Sequence, residues 1–144
     1  MKQRRKKQRN LWIVKPGENT NRGFGIIVAR DLLHIKELVS HVKLPNGTKR
    51  TYIVQKYIDR PLLFHRRKFD IRCYAMVTST NGNVRGYFYQ DGYLRTACKD
   101  FSVKNINNRF IHLTNDAIQK RHEDYGKFES GNKVHPLFYA SALL

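Results

Sequence analysis

The sequence predicts an α+β fold in which antiparallel sheets carry a few short helices. Residues 68–79 alternate between polar and apolar side chains, which is the period of a strand with one buried face. Asn81-Gly82 and Asp91-Gly92 are tight-turn pairs that connect three predicted strands into an antiparallel meander. Residues 32–40 have helical spacing instead, because one face collects Leu32, Ile35, Leu38 and Val39.

The first part of the chain is predicted to form a hairpin, a helix and a further strand. The apolar run 11–15 predicts a strand, and 24–29 predicts its partner after the glycine-bearing loop 17–23. Asp31 precedes the helix 32–40 at the position of an N-cap. The β-branched and aromatic residues of 51–58 predict the next strand.

The second part is predicted to be the meander, followed by loops and one more helix. Its strands are expected at 68–79, 84–90 and 93–97, and a polar loop is expected over 99–109. A short extended piece at 110–113 then precedes Thr114, the expected cap of a helix over 115–120. Two further segments complete the chain, namely the turn-rich residues 121–135 and the apolar residues 136–144 with a helical pattern.

The composition is strongly basic, with 28 Lys and Arg against 11 Asp and Glu and a net charge of +17. Residues 1–10 hold six basic and no acidic residues, which predicts a disordered tail before a folded domain over 11–144. That domain still has 22 basic against 11 acidic residues. The excess indicates a polyanionic partner, which composition leaves open as nucleic acid, nucleotide phosphates, an acidic membrane or an acidic protein segment.

The apolar residues and the two cysteines exclude several classes of protein. No run of about 18 apolar residues exists, so no membrane-spanning helix is expected. Cys73 and Cys98 form no C-x-x-C motif, which argues against a disulfide scaffold or a structural zinc site and suits a reducing compartment. Cys73 lies on the apolar side of the strand 68–79 and is expected to pack in the core, as are Trp12, Phe69 and Phe110.

One face of the predicted strand 68–79 carries charged residues. Lys68, Asp70 and Arg72 alternate along it and span roughly 13 Å. Such a row is usually a solvated surface with cross-strand ion pairs. Two more cations favour a functional interpretation, since Arg95 lies on a nearby strand and Lys15 directly precedes the glycine-bearing loop. This face would suit a triphosphate and a ribose.

Two other segments are candidate nucleotide contacts. In the loop, Arg22-Gly23 combines a cation with a residue whose backbone N–H can approach phosphate oxygens closely. The loop matches neither the Walker A pattern nor G-x-G-x-x-G. Residues 55–58, QKYI, end a predicted strand and are placed to act as the hinge that hydrogen-bonds an adenine in a two-lobed nucleotide enzyme.

Five segments in this order resemble the tubulin–tyrosine ligase and ligase-like family: WIVKPGENTNRGFGI, VQKYIDRPLL, RRKFDIRCYAMV, YFYQDGYLRTA and FIHLTNDAIQK. The resemblance covers residues 11–132. The later segment DYGKFESGN looks more like the tyrosine-adding member than the glutamylating or glycylating members. The resemblance implies an ATP-grasp fold, in which two α+β lobes hold ATP between antiparallel sheets. Residues 11–144 are therefore expected to form a partial ATP-grasp domain, the central portion of the family fold.

The same resemblance implies an ATP- and Mg2+-dependent ligase. Family members join a free amino acid to the acidic tail of tubulin through an acyl-phosphate. Tyrosine and glutamate are the leading expected donors here, with glycine as the third. The implied partners are tubulin or microtubule tails and the free amino acid, without a membrane. The implied locations are the cytoplasm and cytoskeleton, and within them the cilium or basal body.

The resemblance also implies roles for individual residues. Lys68 would contact the nucleotide with Asp70 near its ribose, and Arg95 would bind the carboxylate of the incoming amino acid with help from Arg72. No residue is expected to act as an acid, base or nucleophile, and the lone His112 is expected to be structural. The full ATP-binding set implied by the resemblance is Lys15, Arg22, Gly23, Gln55, Lys56, Tyr57, Ile58, Lys68, Asp70, Thr114 and Asn115.

The sequence departs from the family pattern in its acidic residues. The family binds magnesium through an Asp and a Glu-x-Asn element, and the acidic residues after Arg95 do not reproduce this pattern: Asp100, Asp116, Glu123, Asp124 and Glu129. No metal ligand is therefore expected, and the chain is predicted to be a truncated, inactive member. The alternative is a non-catalytic remnant that binds microtubules or nucleic acid through its basic surface. Nucleic acid is the less favoured partner, because no RNA-recognition, zinc-finger or helix-turn-helix pattern is present.

Overall fold

The structure is a computed structural model that describes residues 9–17, 20–40 and 42–134. It confirms the predicted α+β class, since antiparallel sheets dominate and the helices are short. Most of the predicted basic tail and the apolar segment 136–144 lie outside the described residues. Within the described part of the chain, the helices are all too short or too polar to cross a membrane.

The first sheet contains three antiparallel strands in the order β2-β1-β3. Strand β1 is Trp12–Pro16, β2 is Ile27–Ala29 and β3 is Tyr52–Lys56. Helix α1, Leu32–Ser40, covers one face of this sheet, as the helical spacing predicted. The Asp31 carboxylate accepts a hydrogen bond from the His34 N–H at 2.8 Å, which confirms it as the cap of α1. The packed residues are Val14, Ala29 and Ile35, with Trp12, Ile27, Val39 and Tyr52 around them.

The second sheet has the order β4-β5-β8-β9. Its strands are β4 (Leu63–Phe64), β5 (Arg67–Arg72), β8 (Tyr93–Asp100) and β9 (Lys133–Val134). The prediction of one continuous strand over 68–79 is wrong, because β5 ends at Arg72 and pairs with β8. Polar and apolar residues continue to alternate through positions 73 and 74, so the pattern could not reveal the break.

The residues after the break form a separate hairpin. Strand β6 (Ala75–Thr80) pairs with β7 (Asn83–Phe88) around the predicted Asn81-Gly82 turn. The predicted meander is therefore wrong in its connections, because β7 pairs with β6 and the neighbour of β8 is β5. Cys73 is exposed and Val77 is 71% exposed, so the expected buried face is wrong as well. All six residues of β7 and five of the six residues of β6 are exposed.

Two short helices follow the second sheet. Helix α2 is Arg109–His112, which corrects the extended piece predicted at 110–113. The Asn108 side chain accepts a hydrogen bond from the Phe110 N–H at 3.0 Å and starts the helix. Helix α3 is Asp116–Gln119, and it confirms the predicted helix within two residues at its start and end. A 3-10 turn at Ser130–Asn132 then leads into β9.

An apolar cluster joins the first sheet to the chain that follows β8. Leu11 and Tyr57 are each 2% exposed and pack beside Val28. The half-buried residues around them are Ile13, Phe101, Val103 and Ile106. The sheet β2-β1-β3 is thereby packed against the segment that directly follows β8 of the second sheet.

Arg67 fixes the segment after α3 to the second sheet. Its guanidinium is 4% exposed and forms a bidentate ion pair with Glu129. The Thr96 hydroxyl also donates to Glu129, at 3.0 Å, and the Asn132 amide donates to the Thr96 carbonyl at 3.1 Å. Residues 129–132 are consequently held against β8 by buried polar contacts, which the polar sequence of this region did not indicate.

Candidate functional site

Lys15 and Gln55 lie next to each other on the first sheet. The Lys15 ammonium donates a hydrogen bond to the Gln55 side-chain oxygen at 2.9 Å. The two residues come from neighbouring strands, β1 and β3, and share a face because side chains alternate along each strand. Two of the predicted nucleotide contacts are therefore adjacent.

Lys56 and Ile58 are oriented differently from Gln55. Lys56 pairs with Trp12, and its ammonium lies 4.7 Å from the centre of the Trp12 ring and donates to the Arg9 carbonyl at 2.9 Å. Its side chain thus points to the α1 side of the sheet. Ile58 is 68% exposed. Of the predicted hinge residues, only Gln55 contacts Lys15 with its side chain, and the hinge backbone remains the candidate adenine contact.

Lys68 brings the second sheet to the same site. Its ammonium donates to the His112 carbonyl at 2.8 Å and lies 3.4 Å from the Tyr57 hydroxyl. Burial lowers the pKa of Lys68, Asp70 opposes this shift, and the positive charge of Lys15 adds to it. The charge of Lys15 thus acts on Lys68, which joins a cation of the first sheet to a cation of the second.

Asp70 and Arg95 are paired directly with each other across β5 and β8. The Arg95 Nε lies 3.0 Å from both carboxylate oxygens, and the Arg95 Nη2 makes a second bond to Asp70. The hydrogen bond to Asp70 raises the pKa of Arg95. Arg72 lies two residues along the same face of β5 and is exposed. Asp70 and Arg72 of the predicted charged row therefore lie in the regular part of the ladder, and Asp70 forms the cross-strand ion pair that such a row usually forms.

The glycine-bearing loop contacts the start of α3. Arg22 and Gly23 both have positive φ, at 56° and 81°. A Cβ on Gly23 would lie 2.6 Å from the Asn115 side-chain oxygen, so only glycine fits this close approach. Arg109 Nη2 also donates to the Gly23 carbonyl at 2.8 Å. The structure thus brings together Arg22-Gly23 and Asn115, which the sequence predicted as separate parts of one site, and Thr114 precedes Asn115 in a half-buried position.

Sequence reasoning missed the contact between Tyr57 and His112. Their hydroxyl and Nδ1 atoms are 2.8 Å apart, and both residues are 2% exposed. His112 was expected to be a lone structural residue, and Tyr57 was expected to belong to a hinge whose backbone hydrogen-bonds an adenine. The burial of Tyr57 leaves only its backbone for that role. The two residues are 55 positions apart, so no local pattern could have indicated their contact.

The described residues do not fit a magnesium ion at this site. Mg2+ prefers several oxygen ligands in octahedral geometry, but the Asp70 carboxylate is paired with Arg95 and lies near the ammonium of Lys68. The one described cluster of three candidate ligand groups is His122, Glu123 and Asp124, in the segment after α3. There Asp124 already accepts hydrogen bonds from Lys99 and Lys127.

Comparison with known proteins identifies relatives over most of the chain. A sequence model described as the Tubulin-tyrosine ligase family matches residues 1–137. Tubulin glycylase 3B of Drosophila melanogaster is 44% identical over 81% of this chain, and Tubulin monoglycylase TTLL3 of Homo sapiens is 42% identical over 81%. Tubulin glycylase 3D of Tetrahymena thermophila is 41% identical over 83%. The chain spans 14%, 14% and 11% of the lengths of these three relatives.

Proposed function

The chain belongs to the tubulin-tyrosine ligase family, and from that premise we propose that it is part of an ATP-dependent ligase for the acidic tail of tubulin. The family and the antiparallel α+β architecture together confirm the expected partial ATP-grasp fold. One observation carries the proposed activity. Lys68 of the second sheet lies two residues from Asp70, the partner of Arg95, and the charge of Lys15 from the first sheet acts on it, so that both sheets contribute a cation to one charged site.

Glycine is the donor amino acid that the relatives favour. Three similar proteins, from a fly, a ciliate and human, are named as tubulin glycylases or monoglycylases. Tyrosine and glutamate were the leading expectations from sequence, and the segment DYGKFESGN suggested the tyrosine-adding branch. The names of the relatives support neither tyrosine nor glutamate. We therefore propose glycine as the donor amino acid.

The residues fit carboxylate activation by phosphoryl transfer. We assign Lys15 and Lys68 to the ATP phosphates, where fixed positive charges stabilise the negative charge that develops during transfer. A tail carboxylate attacks the γ-phosphorus of ATP and gives an acyl-phosphate and ADP. The amino group of glycine then attacks the acyl carbon and releases phosphate. Arg95, assisted by Arg72, binds the carboxylate of glycine through the N–H groups that do not donate to Asp70, since a guanidinium has five N–H donors.

The proposal separates nucleotide binding from catalysis. The phosphate-binding cations are present among the described residues, whereas the carboxylates that a catalytic Mg2+ needs are not grouped there. We therefore expect this chain to bind ATP and to lack ligase activity in isolation. Its partners would be tubulin tails and free glycine, at the cytoskeleton and in cilia, and its excess of basic residues suits the acidic tail.

Calorimetric titration with a non-hydrolysable ATP analogue tests nucleotide binding. The unmodified chain should release or absorb heat on binding, and Lys68→Ala combined with Asp70→Ala should abolish it. Lys36→Ala is the matched control, because Lys36 is an exposed cation on α1. Equal binding by the double variant, or no binding by the unmodified chain, would contradict the assigned site.

Incorporation of labelled amino acids into tubulin tests the reaction. With ATP and Mg2+, a full-length relative supplied as positive control should incorporate glycine, and the chain alone should incorporate none. Incorporation by the chain alone would refute the expected inactivity.

Removal of the acidic tails from microtubules should also abolish pelleting of the chain with the microtubules. Unchanged pelleting would argue against tail recognition.

A further inference from the structure

We propose that Tyr57 and His112 are positioning residues that hold the Lys68 ammonium group at the nucleotide site. The inference rests on the proposed function, since it gives Lys68 a phosphate to bind. Three separate segments meet at this point. Tyr57 follows β3, Lys68 lies in β5 and His112 ends α2. A substitution at any one of these three residues should therefore alter the positions of the other two.

The pair supplies two acceptors to Lys68. The main-chain carbonyl of His112 accepts from the Lys68 ammonium at 2.8 Å, and the Tyr57 hydroxyl lies 3.4 Å from it. The ammonium also lies 4.9 Å from the centre of the Tyr57 ring, where the face of an aromatic ring attracts a cation. These contacts restrict a side chain that otherwise has four rotatable bonds and high conformational entropy.

The hydrogen bonds of His112 determine which of its ring nitrogens carries a proton. Nε2 lies 2.9 Å from the Asn105 carbonyl, which can only accept, so Nε2 is protonated. Nδ1 lies 2.8 Å from the Tyr57 hydroxyl. In the neutral ring Nδ1 accepts the hydroxyl proton, and the hydroxyl oxygen keeps its lone pairs free to face Lys68. Each donor in the series from Lys68 through Tyr57 and His112 to Asn105 then has an acceptor.

Protonation of His112 would break this series. The Nδ1–H of an imidazolium would donate to the Tyr57 hydroxyl oxygen, and the hydroxyl proton would lose Nδ1 as its acceptor. Burial lowers the pKa of His112, its bond to Asn105 opposes that shift, and the charge of Lys68 adds to it. The ring of Phe101 packs edge-on against His112, at 5.9 Å between centroids. The groups that face the imidazole are thus one cation, one neutral phenol, one carbonyl and one aromatic ring.

Substitutions at both positions test the proposal through affinity for the ATP analogue. At about pH 7.5, Tyr57→Phe should weaken binding about tenfold, because it removes one hydrogen-bonding group from a charged partner and keeps the ring. Tyr87→Phe removes a hydroxyl from the exposed hairpin and should have no effect. His112→Leu should weaken binding to a similar extent, whereas His112→Asn retains an acceptor near the place of Nδ1 and should bind within about threefold of the unmodified chain.

The pH profile distinguishes positioning from a structural role. Below the ordinary histidine range of about 6.5, the unmodified chain should lose affinity more steeply than His112→Asn, which cannot be protonated there. The titration of the analogue itself affects both proteins equally and cancels in the comparison. Identical profiles for the two proteins, or full affinity in Tyr57→Phe with an intact fold by circular dichroism, would overturn the proposal.

Nitrogen NMR without nucleotide gives an independent result. His112 should be in the Nε2–H form, and Tyr57→Phe should shift the titration of the Lys68 ammonium. If the chain binds no analogue but shows both signatures, the positioning pair stands and the proposed nucleotide function fails. If His112 is in the Nδ1–H form, or Lys68 is insensitive to Tyr57→Phe, the pair is refuted whatever the affinity for nucleotide.

Discussion

Arg95 faces Asp70 across β5 and β8, with its Nε 3.0 Å from each of the two carboxylate oxygens. The family resemblance implies different ligands for the two residues, a ribose for Asp70 and an amino-acid carboxylate for Arg95. Because each is the other's partner, a ligand that engages one of them changes the charge environment of the other. Nucleotide and amino-acid binding are therefore expected to be coupled through this ion pair.

A double-mutant cycle on urea unfolding should detect the ion pair. Asp70→Asn and Arg95→Gln should be coupled by about 1 kcal/mol, a modest value because the side chains are 35% and 20% exposed and solvent screens them. The control cycle uses Arg66 and Asp100, a pair whose side chains are 84% and 55% exposed, and should show no measurable coupling. Equal coupling in the two cycles would show that the bidentate geometry adds nothing.

Glu129→Gln should be among the most destabilising single substitutions in the segment after α3. The substitution removes the counter-charge of Arg67, whose side chain is 4% exposed. The free energy of unfolding should fall by about 3 kcal/mol. Glu123→Gln is the matched control, because Glu123 is an exposed acid of the same segment, and its effect should stay within about 0.5 kcal/mol. Urea unfolding measures both, and similar values for the two variants would contradict the role of the buried pair.

Two glycine substitutions separate backbone strain from close packing. Gly23 and Gly82 have φ of +81° and +79°, so alanine at either position costs about 1 kcal/mol of strain. Alanine at 82 meets no atom within 4 Å, but alanine at 23 lies 2.6 Å from Asn115 and 2.7 Å from Ile118. Gly23→Ala should therefore cost about 1–3 kcal/mol more than Gly82→Ala. Thermal unfolding of the two variants checks the difference, and equal losses would refute the close approach of the loop to α3.

Tyr125→Phe should reduce stability only within a defined pH range. The Tyr125 hydroxyl donates to the Asp116 carboxylate, and burial raises the pKa of Tyr125 to about 12, with this bond as the second cause. Burial alone would raise the pKa of Asp116, but its bonds from Tyr125 and Lys120 outweigh burial and lower it. Because the pKa of Asp116 is lowered, its contribution to folding stability is lost as pH falls below about 4. Because the pKa of Tyr125 is raised, its contribution to folding stability is lost as pH rises above about 10.

The difference in unfolding free energy between the unmodified chain and Tyr125→Phe should thus be about 1 kcal/mol near neutral pH. It should shrink towards both extremes. Tyr87→Phe, which removes an exposed hydroxyl from β7, should show no such profile. A constant difference across the whole range would show that the hydroxyl acts without the Asp116 charge.

Local sequence signals predicted the local structure well. The Asp31 cap, helix α1 and the Asn81-Gly82 turn each depend on residues close together in sequence, and each is confirmed. The end of β5 at Arg72 was missed because it depends on β8, which starts 21 residues later and pairs with β5 directly. Helix α2 was missed because its apolar residues fit a short strand equally well and its start depends on one cap, Asn108.

The candidate site was predictable as a set of residues but not as a set of contacts. Alternation along the strand predicted Lys68, Asp70 and Arg72 on one face, and the pairing with β8 is regular from Phe69 to Arg72, with an irregularity beside Lys68. The pairing of charged residues depends on the register between β5 and β8, so the bond between Asp70 and Arg95 could not be predicted from the sequence. The role of His112 depends on Tyr57, from a distant segment that packs beside it only in the folded chain.

The hairpin β6–β7 has a consequence for the order of folding. Its open end is closed by a hydrogen bond of 2.9 Å from the Tyr89 N–H to the Tyr74 carbonyl, directly beside the ends of β5 and β8. A hairpin of this kind forms in about 1–10 μs. Once it has formed, only the few residues flanking it remain flexible in the chain between β5 and β8, so the loop that must be closed to pair these strands is shorter. The hairpin would thus nucleate the second sheet and draw Asp70 and Arg95 together early on the folding pathway.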